Sequence, residues 1–381
     1  MKRMGIILAL CLVLTVLPVR AGAVDMQIAG KSALLMDIAT GQVLYEQNAH
    51  ERLAPASVTK VMTMLLIMEA IDAGKIGWND MVIASEAAAA KGGSQIYLKV
   101  GESMTVTDML KSIAVSSAND CACAMAEHIA GSEGAFVELM NQRASELGMN
   151  DTHFVNCTGL DDGEEAKDHL TSAYDIAVMS RELMKNHPDI MKFTTIWMDT
   201  VRNGTFGLSN TNKLVRFYPG ATGLKTGFTA NAGYCLSATA QRDGLGLVAV
   251  VMGCQTSQER FGACKQLLDY GFANYALADP KVEEMTVPVK LGAAGAVAAI
   301  PGEETRLLID KAQKNQVSTH VEMEEMVAAP VSKGQRLGTL TVKVGEQILL
   351  QVPMVAKETV PRLTWGQIFR MVLSQFAMAK E

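Results

Sequence analysis

The sequence predicts an α+β domain, an antiparallel sheet flanked by helices, then a small all-β domain and a terminal amphipathic helix. Three observations carry this reading. Segments patterned as β-hairpins stand on both sides of a long helix-rich stretch. Near Asp279-Pro280 the composition shifts to short β-rich runs separated by Gly and Pro, as in "GTLTVKVGEQILLQVPMVA". Residues 361–381 return to a helical period with aromatic side chains on one face.

The chain has 381 residues, 49% of them hydrophobic and 19% charged. That is enough for two domains with a sizeable core, and it is a globular composition rather than a disordered one. Residues 1–23 read as a secretory signal. Lys2 and Arg3 give the positive start, Gly5 to Val19 the apolar run, and Ala21-Gly22-Ala23 the cleavage site. The run is short for a membrane span, and no other segment is long enough. The mature chain is expected to begin near Val24 and to be exported. Three basic and no acidic residues leave with the signal, taking the net charge from −6 to −9. An acidic chain without a basic cluster argues against nucleic acid as a partner. Cys121, Cys123, Cys157, Cys235, Cys254 and Cys264 remain. Export permits disulfides. The scattered spacing and apolar flanks favour buried free thiols, and a C-x-C pair is too short for an ordinary zinc knuckle.

Taken in order, "SALLMDIATGQVLYEQN" is a hairpin turning at Thr40-Gly41. "PASVTKVMTMLLIMEA" places Val61, Met64, Leu65 and Met68 at i, i+3, i+4 and i+7, an amphipathic helix with a mostly buried face. "VTDMLKSIAVSSANDCACAMAEHIAG" and "EGAFVELMNQRASELGM" are helical and end near glycines. From about Met198 to Gly253 the pattern is strand-like, with a hairpin around Arg242-Asp243-Gly244. "ERFGACKQLLDYGFANYAL" is a closing helix. In the tail, Trp365, Ile368, Phe369, Val372 and Phe376 share one face, while Gln367, Arg370, Ser374 and Lys380 lie elsewhere. Such a helix suits a membrane interface; the alternative is packing on the β domain. The division is residues 1–23 signal, 24–279 first domain, 280–360 β domain and 361–381 anchoring helix. No internal repeat is visible.

Three short motifs carry the chemistry. Ser57 and Lys60 open the first long helix; read alone, they are an N-cap and a surface charge. Ser117-Ala118-Asn119 lies at a predicted helix start, and Lys225-Thr226-Gly227 runs into a predicted strand. A serine and a lysine three residues apart share a helix face. At a helix tip a serine becomes a nucleophile if a base lies nearby. Lys60 is that base only if uncharged, which burial or a second cation such as Lys225 favours.

S-x-x-K, S-x-N and K-T-G, in this order, are the set shared by penicillin-binding proteins and class A β-lactamases. "NDCACAMAEHIAGSEGAFVELMNQRASELGMNDTHFVNCTGLDD", "HLTSAYDIAVMS" and "VMGCQTSQERFGACKQLLDYGF" resemble the low-molecular-weight penicillin-binding proteins, the serine-type D-alanyl-D-alanine carboxypeptidases of the S11-like kind. The likeness spans nearly the whole mature chain and is greatest to the Gram-positive, sporulation-associated branch. It implies a β-lactamase/transpeptidase-like fold and a sandwich-like β domain. It implies removal of the terminal D-Ala from peptidoglycan stem peptides through an acyl-enzyme on Ser57, with β-lactam antibiotics as mimics of that dipeptide. Lys60 takes the hydroxyl proton, and Ser117 relays a proton to the leaving nitrogen. Asn119 holds the substrate amide and helps order Lys60. Lys225 and Thr226 face the terminal carboxylate, Gly227 belongs to the same substrate-binding strand, and the N–H groups of Ser57 and Phe228 form the oxyanion hole. No cofactor and no metal is implied. The implied place of action is the cell envelope, peripherally at the outer face of the cytoplasmic membrane.

Two departures stand out. Enterobacterial relatives have His where this chain has Phe228, whose backbone alone serves the hole. They have a carboxylate-binding arginine where this chain has Gln255, so Arg260 is a candidate substitute. The six histidines show no metal spacing, and "GLDDGEE" lacks the alternation of a calcium loop. Two rivals remain at this level. A β-lactamase needs a deacylating Glu, for which only Glu164 and Glu165 offer. A non-catalytic muropeptide-binding or sensing protein would keep the pocket alone. Endopeptidase cleavage of cross-links also stays open.

Overall fold

In the computed structural model, residues 26–370 are described. The predicted signal and the last part of the predicted tail helix lie outside them.

The sheet of the first body follows from period-two patterning. Its order is Val43–Gln47, Ser32–Asp37, Leu245–Cys254, Gly233–Arg242, Ala221–Thr229, and every pairing is antiparallel. The central strand, Leu245–Cys254, is apolar on both faces. Val248, Val250 and Met252 face one core, and Leu247, Ala249 and Val251 face another under the Ser257–Asn274 helix. Both predicted hairpins form. Asp243 (φ 49°) and Gly244 (φ 84°) take the left-handed conformations that a tight two-residue hairpin turn requires.

The larger core holds the helices Val106–Ser116, Asn119–Ala130, Glu133–Glu146 and Ala173–Asn186. Among them runs Lys60–Asp72. Its predicted one-sided burial is not what forms: every residue from Lys60 to Met68 is buried. The helix lies between the sheet and the helical layer, so both faces meet protein. Thr63, which with Lys60 makes up the polar part of that run, donates its hydroxyl to the Cys157 carbonyl at 2.6 Å.

The second body is all β. Its six strands lie in the order Val317–Met323, Arg336–Val344, Gln347–Ala356, Ala296–Pro301, Met285–Lys290, Val327–Ala328, over a separate apolar core. Tyr275–Ala278 pairs with Leu307–Asp310, and Lys311 donates to the Phe272 carbonyl at 2.8 Å; these contacts join the two bodies. After it, Thr364 and Gln367 cap a helix that begins at Trp365. Trp365 and Phe369 are exposed rather than packed on the β domain. Among the described residues, no helix is long and apolar enough to cross a membrane.

Candidate active site

Ser57 sits on a single 3₁₀ turn, Ala56–Thr59, that leads into the Lys60–Asp72 helix. The hydroxyl is partly exposed, while Lys60 is wholly buried. Lys60 Nζ donates to Ser57 Oγ at 3.0 Å and to the Thr158 carbonyl at 2.7 Å. Burial lowers the lysine pKa to about 7, with Cys157 and Asp120 pulling part of the way back. The Thr158 carbonyl is placed by an Asx turn: Asn156 Oδ1 accepts from the N–H of Thr158 at 3.1 Å and of Gly159 at 2.7 Å. Gly159 has φ +80°, and a Cβ there would lie 1.9 Å from the Ala56 carbonyl oxygen. Only glycine fits that approach.

Ser117 is not at a helix start. It ends the Val106–Ser116 helix in the left-handed conformation (φ 62°), and Asn119 opens the next helix. Asp120 pins the facing loop by accepting from Ile96 N–H at 3.1 Å and Leu98 N–H at 3.0 Å. Ser117 Oγ and Asn119 Oδ1 are buried without a protein partner. Asn119 Nδ2 donates to the Gly92 carbonyl at 2.7 Å. The expected contact from Asn119 to Lys60 is therefore replaced by one to the loop backbone, and Thr158 orders the lysine instead.

Lys225, Thr226, Gly227 and Phe228 lie on the edge strand Ala221–Thr229. A Cβ at Gly227 would stand 3.0 Å from Ser57 N and 2.7 Å from the Pro55 carbonyl, so this strand passes Ser57 at backbone contact. Lys225 is buried; burial, then Lys60 and Arg260, push its pKa well down. Lys60 thus acts on Lys225, whereas the lowering at Lys60 itself comes from burial. Lys225 Nζ donates to the Thr226 carbonyl at 2.9 Å. Thr226 Oγ1 meets Thr211 Oγ1 at 2.6 Å, and Thr211 N–H donates to the Val115 carbonyl, which ties the strand to the helix that ends at Ser117. Phe228 is exposed, its ring 4.3 Å from that of Tyr234. Arg260, the suggested carboxylate ligand, instead spends Nη1 on the Gly227 carbonyl at 2.9 Å and the Cys235 carbonyl at 3.4 Å.

Thr158, Thr211 and Gly159 were not singled out from the sequence. The Asn156-Cys157-Thr158-Gly159 turn carried a local signal; a carbonyl acceptor and a hydroxyl partner distant in sequence carried none. All six described cysteines are buried free thiols. Glu69, Glu182 and His187 bring ligand-type atoms within 4.8 Å of one another, but Arg143 already bonds both carboxylates and His187 turns to Asp72. Glu164, the candidate deacylating acid, is exposed and paired with Lys167, and Glu165 is exposed beside it.

The D-alanyl-D-alanine carboxypeptidase family model matches residues 19–256, and a model of the penicillin-binding protein 5 C-terminal domain matches residues 276–362. The chain is 46% identical over 335 residues to D-alanyl-D-alanine carboxypeptidase DacF of Bacillus subtilis, covering 86% of this chain and 85% of that one. It is similar in structure to penicillin-binding protein 5 of Haemophilus influenzae (TM-score 0.74, 29% identity, 90% of this chain and 100% of that one). It also resembles the ampicillin-bound penicillin-binding protein D2 of Listeria monocytogenes (TM-score 0.60, 30% identity, 66% and 100%). A Ser57–Lys60 pair at a helix start, a serine–asparagine corner and a lysine-bearing edge strand thus occur in a chain that matches this family over most of its length, and the protein belongs to the D-alanyl-D-alanine carboxypeptidase family.

Proposed function

We propose that Ser57 is the nucleophile and Lys60 its base, in a serine-type D-Ala-D-Ala carboxypeptidase that hydrolyses the terminal D-alanine from peptidoglycan stem peptides and binds penicillin. The observation that carries this reading is the buried Lys60 amine 3.0 Å from the Ser57 hydroxyl. Near neutral pH a large fraction of that amine is unprotonated and able to accept a proton. Ser57 Oγ adds to the carbonyl carbon of the penultimate D-Ala, and its proton passes to Lys60. The oxyanion forms between the N–H groups of Ser57 and Phe228. The C–N bond then breaks, with the proton returned through Ser117 to the departing amine. Water, deprotonated in its turn by Lys60, attacks the ester; the Oγ–C bond breaks, and Lys60 returns that proton to Ser57 Oγ. The unpartnered Ser117 Oγ and Asn119 Oδ1 are groups that a bound peptide satisfies; left empty, such buried atoms cost about 1–3 kcal/mol each. Lys225 and Thr226 take the terminal carboxylate.

Export by residues 1–23, the division at residues 279 and 360, and peripheral attachment to a membrane surface through residues 361–381 belong to the same reading. The exposed Trp365 and Phe369 support the last of these. The exposed, paired Glu164 argues against the β-lactamase alternative. The test is release of D-alanine from a stem-peptide mimic. Wild type releases it and Ser57→Ala does not; no release by either protein favours a binding role alone.

A further inference from the structure

On the acyl-transfer reading, the two peptide groups whose N–H ends form the oxyanion hole are each held from the opposite end by a buried side chain. One is the Ala56–Ser57 peptide. Its carbonyl, Ala56 O, accepts from Thr59 Oγ1 at 2.9 Å. Thr59 Oγ1 meets His169 Nε2 at 2.8 Å. Val155 N–H donates to His169 Nδ1 at 3.1 Å, so Nδ1 is the acceptor and the ring proton sits on Nε2. The chain therefore runs one way: His169 N–H to Thr59 O–H to Ala56 C=O. Burial keeps the imidazole neutral, with its pKa lowered to about 4, and preserves that direction near neutral pH.

The other is the Gly227–Phe228 peptide. Its carbonyl accepts from Arg260 Nη1 at 2.9 Å. Arg260 comes from the Ser257–Asn274 helix behind the sheet, is buried, and lies between the rings of Tyr234 and Phe261 at 5.3 and 4.8 Å. Among the described residues no carboxylate pairs with it. A buried, uncompensated guanidinium directs its field at the carbonyls it touches.

We propose that Arg260 and the Thr59–His169 pair are positioning residues that orient and polarise the two oxyanion-hole peptides through their carbonyl ends. A hydrogen bond to a peptide carbonyl draws electron density through the conjugated amide and makes its N–H a stronger donor. It also resists rotation of the peptide plane. That matters at Ala56, whose φ of +48° is a left-handed conformation that a non-glycine residue resists. The inference rests on the acyl-transfer reading above, and it removes Arg260 from the list of free carboxylate ligands.

The experiment is difference infrared spectroscopy of the acyl-enzyme formed with penicillin labelled at the reacting carbonyl carbon, together with the acylation rate and the non-covalent dissociation constant. The ester stretch reports how strongly the hole pulls on the oxygen, and a purely structural role leaves it in place. Thr59→Val and Arg260→Met should each move the stretch to higher frequency and slow acylation about tenfold, a fraction of the loss from deleting a donor outright. Thr59→Ser should restore wild-type behaviour, and Arg260→Lys should fall between. Wild-type frequency and rate in both Thr59→Val and Arg260→Met overturn the proposal. For Arg260, weaker non-covalent binding with an unshifted ester overturns it in favour of a carboxylate ligand. Should Arg260→Met not fold, Thr59→Val and Arg260→Lys decide. Absence of a Ser57 adduct in wild type would instead overturn the acyl-transfer reading itself.

Discussion

Lys60 Nζ stands 3.0 Å from Ser57 Oγ, at the end of a side chain with no exposure to solvent. Among the described residues, a charged ammonium there has only Ser57 and the Thr158 carbonyl as hydrogen-bond partners. Burial therefore favours the neutral form, which is the form a base needs. The pKa of about 7 sets the direction of the pH profile. The free-base fraction grows as pH rises, so acylation by penicillin should increase through an apparent pKa near 7. Below that point it should fall about tenfold per pH unit. Stopped-flow acylation between pH 5 and 9 checks this; a flat profile contradicts it.

The same amine is a burden on the fold. Its pKa is lowered from 10.5, so between about pH 7 and 10.5 the unfolded chain binds the extra proton and stability rises with pH. Below about pH 7 both states are protonated and the penalty is fully present. Lys60→Met removes the titrating group. Its melting temperature relative to wild type should therefore be more favourable at pH 6 than at pH 9, with acylation abolished at both. Thermal denaturation at the two pH values reads this directly, and an equal offset at both contradicts it.

Gly227→Ala and Gly159→Ala should separate placement from stability. At Gly227 the new methyl meets Pro55 O at 2.7 Å and Ser57 N at 3.0 Å, so the strand must move away from Ser57. A displacement of this kind costs on the order of 10²-fold in rate. At Gly159 the methyl lies 1.9 Å from Ala56 O on a backbone with φ +80°. That variant should also lose about 1–3 kcal/mol of stability. Acylation rates paired with urea denaturation distinguish the two outcomes.

Phe228→Ala should leave acylation near the wild-type rate, because the proposed hole uses only the backbone N–H of Phe228 and its ring is exposed. Loss of the ring contact with Tyr234 should cost about 0.5–1.5 kcal/mol at most. A large drop in acylation without unfolding would assign the ring a part in binding.

Much of this site was legible because its parts are short and linear. Ser57 with Lys60, Ser117 with Asn119, and Lys225 with Thr226 are each fixed by spacing, and Asp243-Gly244 announces its own turn. The penicillin-binding family was legible from these motifs and the stretches around them, the α+β fold from hairpin and helix patterning, and the β domain from the β-rich runs after Asp279-Pro280. The rest depends on contacts between distant segments. The periodicity of Val61, Met64, Leu65 and Met68 marked one buried face; the second face is buried by helices whose docking no local pattern reveals. Thr158 acts through its carbonyl, which every residue has. Asn119 was expected at Lys60, yet its amide answers to Gly92, more than twenty residues earlier in the chain. Arg260 looked like a ligand for a carboxylate until the fold placed the Gly227 carbonyl beside it.

The most direct test of acyl transfer at this helix tip is intact-mass analysis after exposure to penicillin, with the modified peptide mapped. Wild type should gain one penicillin mass on Ser57, and folded Lys60→Met should gain none over the same interval. An adduct on another residue, or acylation of Lys60→Met at the wild-type rate, would contradict the pairing of these two side chains as nucleophile and base.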